Sequence, residues 1–322
     1  MQLTTLTGTG LRVSRISLGT MTFGEQVDEQ ASISIVRRCL DAGINFFDTA
    51  SIYTEGRSET ILGKALQGQR DAVVLASKVR GRVGDDPNDE GLSRRHILDA
   101  IDNSLRALQT GYLDIYYLHQ PDYETPLAET LSTMSDLVRA GKVRYVGVSN
   151  YASWQICQSL WLCDNHSWRP PVVAQQMYNL IARGIEQEHL SFLREFEIGL
   201  VVYNPLAGGL LTGKHTNISA PLPGTRFDGN QMYRDRYWHE ANFDAVRTLQ
   251  HIAQQAGKSL VELSLQWLLG RPEVNSVILG VSNLGQLEQN VMDSDGELDE
   301  ATEAACDEVW DELRGPTPYY NR

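Results

Sequence analysis

The sequence is poor in cysteine and in basic residues, and both shortages limit what the protein can be. Only four cysteines occur in 322 residues, at Cys39, Cys157, Cys163 and Cys306, and no two of them form a CxxC pair. We therefore expect free thiols in a reducing cytosol, rather than disulfides or a metal site. Acidic residues outnumber Lys and Arg by 41 to 28, and the resulting net charge of −13 argues against nucleic acid as a partner.

The chain also lacks the signals of membrane insertion and secretion. No apolar stretch approaches the length of a membrane span, and the first residues do not join a charged segment to an apolar one. We therefore expect a cytoplasmic location and no membrane partner. No linker rich in Pro, Gly or Ser divides the chain, so residues 1–322 are predicted to form one domain.

What the sequence does contain is a repeated alternation of short β-branched runs and longer segments with helical periodicity. Seven of the short runs end abruptly in a polar residue or a glycine. This alternation predicts parallel strands in successive βα units, arranged as a (β/α)8 TIM barrel. The first four barrel strands are predicted at residues 15–19, 44–47, 72–77 and 113–118.

Other local patterns predict helices, a hairpin and a long loop. Polar and apolar residues alternate around Gly8 and Gly10, which predicts an N-terminal β-hairpin that closes the bottom of the barrel. Helices are predicted over residues 29–42 and from the N-cap Ser93 to a stop at Gly111. Residues 204–236, after the seventh strand, are rich in Gly and Pro and predict a long functional loop, with helical structure resuming near Trp238.

Four polar residues near strand ends form a consistent set for proton donation. Asp48 and Tyr53 lie in FFDTASIY, while Lys78 and His119 follow the next two strands. The C-terminal ends of all strands in a barrel meet in one mouth, so these side chains are expected to converge. An ammonium stabilises a phenolate, a carboxylate holds the ammonium, and a neutral imidazole can bind a carbonyl oxygen. Such a site suits hydride transfer to an aldehyde or ketone.

Seven motifs occur in a fixed order between about residues 19 and 290: FFDTASIY, LASKV, YLHQPD, VGVSN, AQQMYNL, VVYNPLAGGLLTGK and LGVSNLGQLEQN. As a set they resemble the aldo-keto reductase superfamily, and its bacterial reductases and potassium-channel β subunits more than its aldose reductase branch. The resemblance implies a catalytic tetrad of Asp48, Tyr53, Lys78 and His119, with Tyr53 as the general acid. It also implies a small-molecule carbonyl substrate and a nicotinamide cofactor bound without a GxGxxG motif, which is absent here.

The same resemblance implies which residues bind the cofactor. Ser149, Asn150 and Gln175 would bind the nicotinamide carboxamide, and Tyr203 would stack on the ring. The remaining implied cofactor residues, which include those for the pyrophosphate and the adenosine end, are Gly19, Thr20, Asn204, Leu206, Gly208, Lys214, Arg226, Gly280, Ser282, Gln286, Gln289 and Asn290.

One departure from the family pattern concerns the choice of cofactor. Many members place a Lys or Arg in the segment that corresponds to residues 280–283, where it pairs with the 2′-phosphate of NADPH. This chain has no cation there, although Ser282 could bind the phosphate and Arg226 could supply charge. NADPH is therefore the favoured cofactor, with NADH as the alternative.

Two other functions compete with the reductase. An NADP(H)-binding regulatory or redox-sensing subunit with slow turnover could keep the same tetrad, although no long N-terminal segment precedes the predicted barrel. A barrel glycosidase would need two carboxylates at strand ends, and only Asp48 stands in such a place.

The substrate itself is not specified by the sequence, and a homo-oligomer is left open. Walls of the substrate pocket are expected from the loops after the strands and from the C-terminal tail. The candidates are Met21, Thr22, Phe23, Arg80, Tyr123, Tyr319 and Tyr320.

Overall fold

A computed structural model describes residues 1–316, which include a closed barrel of eight parallel strands surrounded by helices. An antiparallel hairpin precedes the barrel, and the last barrel strand pairs with the first. The predicted (β/α)8 fold and its N-terminal hairpin are therefore confirmed. The hairpin strands are β1 (Leu3–Thr5) and β2 (Arg12–Ser14), and the barrel strands are β3 (Ile16–Gly19), β4 (Phe46–Asp48), β5 (Val74–Val79), β6 (Leu113–Leu118), β7 (Val143–Ser149), β8 (Pro171–Met177), β9 (Gly199–Tyr203) and β10 (Val274–Gly280).

The strand boundaries differ from the predicted ones where polar side chains enter the barrel. The prediction of residues 113–118 matches β6, but β4 and β5 extend beyond the predicted ends to include Asp48 and Lys78. Asp48 pairs with Ala76, and Lys78 pairs with Tyr117. Ladder hydrogen bonds use the backbone alone, so a polar side chain that finds a partner does not end the strand.

Eleven α-helices lie in the described part of the chain, and most follow a barrel strand. Ser93 caps α3 as predicted, because its side chain accepts a hydrogen bond from His96 N. The same helix ends at Ala107 instead of Gly111, since Gln109 takes a left-handed conformation with φ of 54°. The helices are α1 (Glu29–Asp41), α2 (Arg57–Ala65), α3 (Arg94–Ala107), α4 (Leu127–Arg139), α5 (Ser153–His166), α6 (His189–Glu195), α7 (Gln231–Tyr237), α8 (Glu240–Gln255), α9 (Leu260–Leu269), α10 (Leu284–Asp293) and α11 (Glu300–Arg314).

The segment after β9, residues 204–237, is more ordered than a long loop. It contains a 3-10 turn at Ala207–Thr212 and the helix α7, which begins seven residues before Trp238. Asn230 caps α7 by accepting a hydrogen bond from Tyr233 N, and Phe227 and Tyr233 are buried. Helical structure resumes near Trp238 as predicted, since α8 begins at Glu240, but α7 was missed because an Asn cap and aromatic packing outweigh the local content of Gly and Pro.

The inside of the barrel is filled by apolar side chains, and the hairpin closes its bottom. Leu6 and Val13, from the hairpin, join one buried cluster with inward-facing residues of the strands. A Cβ on Gly199, at the start of β9, would lie 2.7 Å from Leu6 Cδ1, so only glycine leaves room for this plug. The strand residues of the cluster are Phe46, Val74, Ala76, Ile115, Tyr117, Val173, Val201 and Ile278.

Two further findings bear on the composition. All four cysteines are free thiols, and three of them are buried. Among the helices of residues 1–316, none combines the length and the hydropathy that a membrane crossing requires.

Candidate active site

The alternation of side chains along the barrel strands places the candidate catalytic residues above the interior cluster. A residue two positions beyond an inward-facing side chain also faces the barrel axis, one layer nearer the C-terminal mouth. Four such steps produce polar residues in the mouth: Phe46 to Asp48, Ala76 to Lys78, Tyr117 to His119, and Val173 to Gln175.

Lys78 lies at the centre of the site and is fully buried. Its ammonium donates hydrogen bonds to Asp48 Oδ1, to the carbonyl oxygen of Thr49 at 2.8 Å, and to the Tyr53 hydroxyl at 3.2 Å. Burial by itself would lower the pKa of Lys78, but the Asp48 carboxylate and Tyr53 raise it by more. Lys78 is therefore charged at neutral pH despite its burial.

Tyr53 stands in a short 3-10 turn directly after β4. The next two residues, Thr54 and Glu55, both take left-handed conformations, with φ of 48° and 58°. Such conformations cost about 1–3 kcal/mol each in non-glycine residues and are often found at functional sites. Burial raises the pKa of Tyr53, and the Lys78 ammonium only partly offsets this rise. The phenol is thus protonated at neutral pH.

His119 follows β6 and faces the phenol of Tyr53. The two ring centroids lie 5.9 Å apart in an edge-on arrangement. Burial, and after it the positive charges of Lys78 and Arg80, lower the pKa of His119 to about 3. Its imidazole is therefore neutral at physiological pH.

A string of hydrogen bonds joins the tetrad to residues that the sequence assigned to the nicotinamide. Gln175 Nε2 donates to Asp48 Oδ2 at 2.8 Å, while Ser149 Oγ donates to the Gln175 carbonyl oxygen at 3.0 Å. Asn150 Nδ2 donates to the His119 carbonyl oxygen at 2.9 Å, and its Oδ1 accepts from the Tyr203 hydroxyl at 2.6 Å. The contact between Gln175 and Asp48 was not predicted, and their separation of 127 positions leaves no local signal for it.

The segment after β9 adds two residues to the site that the sequence analysis missed. Tyr233 donates a hydrogen bond to Asn204 Oδ1 at 3.2 Å, and it lies close enough to raise the pKa of Tyr53. Burial raises the pKa of Tyr203, and Arg236 is the strongest charge that opposes this rise. Tyr233 and Arg236 both lie on α7. The N-cap Asn230 and the spacing of the aromatic residues were the sequence signals that could have indicated this helix.

The residues proposed for the phosphates lie along the same segment. Lys214 is exposed, and its Nζ lies 3.6 Å from the position that a Cβ on Gly209 would occupy. Gly208 has φ of 69°, and a Cβ there would lie 2.8 Å from the Tyr233 ring. Arg226 stacks over that ring at 5.3 Å and approaches Met21 Sδ to 3.4 Å.

The residues proposed for the adenosine end lie at β10 and α10, and most have partners already. Ser282 N and Oγ both donate to Gln286 Oε1 at 2.9 Å. Gln289 Nε2 donates to Asp293 Oδ1 at 2.6 Å, and Asn290 is buried. Gly280 is exposed at the end of β10.

The three remaining cofactor candidates lie outside those groups, at β3 and in the segment after β9. Gly19 ends β3, and Leu206 is partly buried against the core. The Thr20 hydroxyl donates to the Asp48 carbonyl oxygen at 3.2 Å and contacts Ser58 Oγ at 2.8 Å. Thr20 therefore supports the backbone of Asp48 instead of facing open space.

The predicted pocket walls are only partly found at the mouth. Met21 and Thr22 line a cavity of about 370 Å³ between the loop after β3 and the segment after β9. Phe23 is instead fully buried in the core, so that assignment is wrong, whereas Tyr123 is 81% exposed and its assignment stays a prediction. Tyr319 and Tyr320 lie outside the described residues. Within residues 1–316, no group of three or more His, Cys, Asp or Glu side chains is arranged to hold a metal ion.

Comparisons with known proteins agree with this architecture. A family model described as the aldo/keto reductase family matches residues 15–311. The chain is 36% identical over 335 residues to aflatoxin B1 aldehyde reductase member 2 of Rattus norvegicus, which covers 98% of this chain and 90% of that protein. It is 36% identical over 297 residues to a probable voltage-gated potassium channel subunit beta of Oryza sativa subsp. japonica, with 90% of each chain covered.

A bacterial relative is similar at nearly full length. The uncharacterized oxidoreductase YrpG of Bacillus subtilis (strain 168) is 35% identical over 329 residues, with 99% of this chain and 98% of that protein covered. The match of the family model to almost the whole barrel agrees with these full-length likenesses. The chain therefore belongs to the aldo/keto reductase family of NAD(P)H-dependent oxidoreductases.

Proposed function

We propose that the protein reduces aldehydes or ketones to alcohols with NADPH, and that Tyr53 is the general acid. The observation that carries this proposal is the hydrogen bond of 3.2 Å from Lys78 Nζ to the Tyr53 hydroxyl, with Lys78 itself held by Asp48. Burial keeps Tyr53 protonated and able to donate at neutral pH. Neighbouring ammonium charge stabilises the phenolate that remains after donation.

Each residue of the tetrad has a separate part in this chemistry. When bound, the nicotinamide supplies a hydride to the carbonyl carbon. Negative charge then develops on the carbonyl oxygen, to which neutral His119 donates a hydrogen bond and Tyr53 donates its proton. Asp48 holds Lys78 against the phenol, and the hydrogen bond from Gln175 fixes the second oxygen of Asp48.

The residues in the mouth fit a nicotinamide nucleotide. Asn204 Nδ2 is buried beside Tyr203 with no hydrogen-bond partner within the described residues, so an acceptor from a bound molecule would satisfy it. Ser149, Asn150 and Gln175 would bind the carboxamide. Lys214 and Arg226, for which no ion pair is found in residues 1–316, are cations suited to phosphates.

An alternative is a regulatory subunit that binds NADP(H) and turns over slowly as a redox sensor. The likeness to a protein named as a probable potassium channel subunit supports keeping this alternative. The two functions differ in turnover. A reductase oxidises many equivalents of NADPH per protein molecule when an aromatic aldehyde is supplied, whereas a sensor oxidises about one.

The replacement Tyr53→Phe tests the proposed acid, because it keeps the ring and removes only the donated proton. We expect kcat to fall by at least about 10²-fold, the usual contribution of general acid catalysis. NADPH affinity, measured by fluorescence titration, should stay within about twofold. Near-normal turnover in the variant would exclude Tyr53 as the acid.

A further inference from the structure

Arg80 lies at the mouth of the barrel, next to the proposed reacting groups. It directly follows β5, two positions beyond Lys78, at a strand end where His119 N donates to the Val79 carbonyl oxygen at 2.9 Å. After burial and Lys78, the charge of Arg80 is the third cause that lowers the pKa of His119. It also acts on the buried phenol of Tyr151, whose pKa is raised by burial and partly lowered again by Arg80.

The positive charge of Arg80 has no carboxylate partner in the described part of the chain. Its Nε is buried without a hydrogen-bond partner, and no ion pair or other hydrogen bond of the guanidinium is found there. A buried donor of a charged group without a partner is destabilising. The side chain is therefore unlike the paired arginines elsewhere in the structure.

Three acids near this strand end are engaged with other groups. Asp48 is held by Lys78 and Gln175, and Glu90 pairs with the exposed Arg82. Asp122 accepts hydrogen bonds from backbone amides and from a threonine hydroxyl: Leu92 N at 2.7 Å, Glu124 N at 3.0 Å and Thr125 Oγ1 at 2.7 Å. None of these three carboxylates forms an ion pair with the guanidinium.

The backbone of Arg80 is also held in an unfavourable conformation. Its φ is 143°, a region that favours glycine, although a glycine stands only one position later at Gly81. Two backbone hydrogen bonds fix the strand end: Gly91 N donates to the Arg80 carbonyl oxygen at 2.8 Å, and His119 N donates to that of Val79 at 2.9 Å. Strained residues with unsatisfied polar groups are found preferentially at binding sites.

We propose that Arg80 binds a carboxylate on the substrate, so that the site prefers aldehydes or ketones that carry a carboxylate near the carbonyl group. A guanidinium binds a carboxylate through two parallel hydrogen bonds, which would satisfy donors that the protein leaves free. The net charge of −13 repels anions in general, so this preference depends on a local cation. The inference rests on the proposed carbonyl reduction and specifies its substrate class.

Paired substrates and paired variants test the inference. The rates of 4-carboxybenzaldehyde and its neutral methyl ester, methyl 4-formylbenzoate, are compared in the wild type, Arg80→Gln, Arg80→Lys and the control Arg82→Gln. Arg82→Gln removes the same charge two residues later, from an exposed side chain. Circular dichroism melting verifies that each variant is folded.

We expect Arg80→Gln to lower kcat/KM for the carboxylate by roughly tenfold or more, mainly through KM, which matches the loss of one charged hydrogen bond. In Arg80→Gln, kcat/KM for the neutral ester should change by less than about threefold. For the carboxylate, kcat/KM of Arg80→Lys should lie between those of the wild type and Arg80→Gln, and Arg82→Gln should resemble the wild type. Equal losses on both aldehydes would mean that Arg80 acts through His119 or the fold, and would overturn the inference. A wild type without a preference for the carboxylate would overturn it as well.

A binding experiment separates this inference from the proposed function. Calorimetric titration of benzoate into the protein saturated with NADP⁺ should show weaker binding by roughly tenfold in Arg80→Gln than in Arg82→Gln. If neither aldehyde is turned over, the proposed reduction fails, and the benzoate titration alone decides whether Arg80 binds a carboxylate. Equal benzoate affinities in these two variants would reject it.

Discussion

At the scale of single residues, the buried ion pair of Lys78 and Asp48 determines which groups in the site carry charge. A charge that is removed from water is stable only when it is paired and hydrogen-bonded. Lys78 makes three hydrogen bonds, and Asp48 is held on its other oxygen by Gln175. The pair therefore fixes an ammonium beside Tyr53.

The replacement Lys78→Met tests this role of the ammonium. Without Lys78, burial and the Asp48 charge both raise the pKa of Tyr53, so the phenolate becomes harder to form. We expect kcat to fall by at least about 10²-fold, whereas Asp48→Asn, which keeps the Lys78 side chain and only loosens its hold, should lower it less. Steady-state rates from pH 6 to 10 measure both effects. The same rate and pH profile in Lys78→Met and the wild type would contradict the coupling.

His119 predicts a dependence of stability on pH. Its pKa is about 3 in the folded protein, against 6.5 for an ordinary histidine. Between these values the unfolded chain binds a proton that the folded protein does not, so stability falls as the pH falls. From pH 6 to 5, the free energy of unfolding of His119→Gln should drop by about 1 kcal/mol less than that of the wild type.

Urea denaturation at the two pH values measures this difference. His189 has a pKa of about 4 for the same reason, burial, and is expected to titrate equally in both proteins. The comparison therefore isolates His119. An equal drop in both proteins would mean that His119 takes up a proton in the folded state.

The convergence of Asp48, Tyr53, Lys78 and His119 could be predicted because each follows or ends an apolar run. Strand periodicity and barrel architecture together convert that position into a shared site. The hydrogen bond between Gln175 and Asp48, and the unpaired state of Arg80, could not be predicted, since both depend on which groups lie nearby in space. Local sequence contains no information on those distances.

At the scale of elements, the segment at residues 204–237 brings cations toward the mouth. The guanidinium carbons of Arg226 and Arg236 lie 5.3 Å and 5.6 Å from the centroid of the Tyr233 ring. Arg226 also borders the cavity near Met21, while Arg236 influences the pKa of Tyr203. We therefore infer that Arg226 and Arg236 contact different parts of the bound nucleotide.

The variant Arg226→Ala tests which end of the nucleotide this residue contacts. We expect the wild type to bind NADPH at least about tenfold tighter than NADH, because one charged hydrogen bond contributes about that much affinity. The variant should lose most of this difference in affinity. The control Arg236→Ala should weaken both nucleotides alike, because both contain the nicotinamide. Calorimetry with each nucleotide on the three proteins measures the six affinities. Equal affinities in the wild type would contradict the NADPH assignment.

The elements themselves were predictable to different degrees. The strand at residues 113–118 was predicted with its observed ends because turns flank its apolar run on both sides. The end of α3 was missed, since Gln109 takes a left-handed conformation that the sequence does not favour. The helix α7 was missed because buried contacts of Tyr233 and Tyr237 stabilise it within a segment rich in Gly and Pro.

At the scale of the whole molecule, the hairpin contributes to stability although it lies far from the chemistry. Leu6 is fully buried in the barrel interior, whereas Leu3, in the same hairpin, is 46% exposed. We expect Leu6→Ala to lower the free energy of unfolding by about 2–5 kcal/mol, and Leu3→Ala by less than about 0.5 kcal/mol. Urea denaturation measures both. Similar values for the two variants would mean that the plug is not part of the cooperative core.

The closure of the barrel affects how the chain can fold while it is being synthesised. Every barrel strand pairs with the next one along the chain, except that β10 closes the barrel against β3. A growing chain therefore holds β3 as an open edge until residue 280 has left the ribosome. Open edges promote aggregation, and short ones do so least. β3 is the strand that stays unpaired longest. Because it has only four residues, Ile16–Gly19, it offers another nascent chain little backbone to pair with.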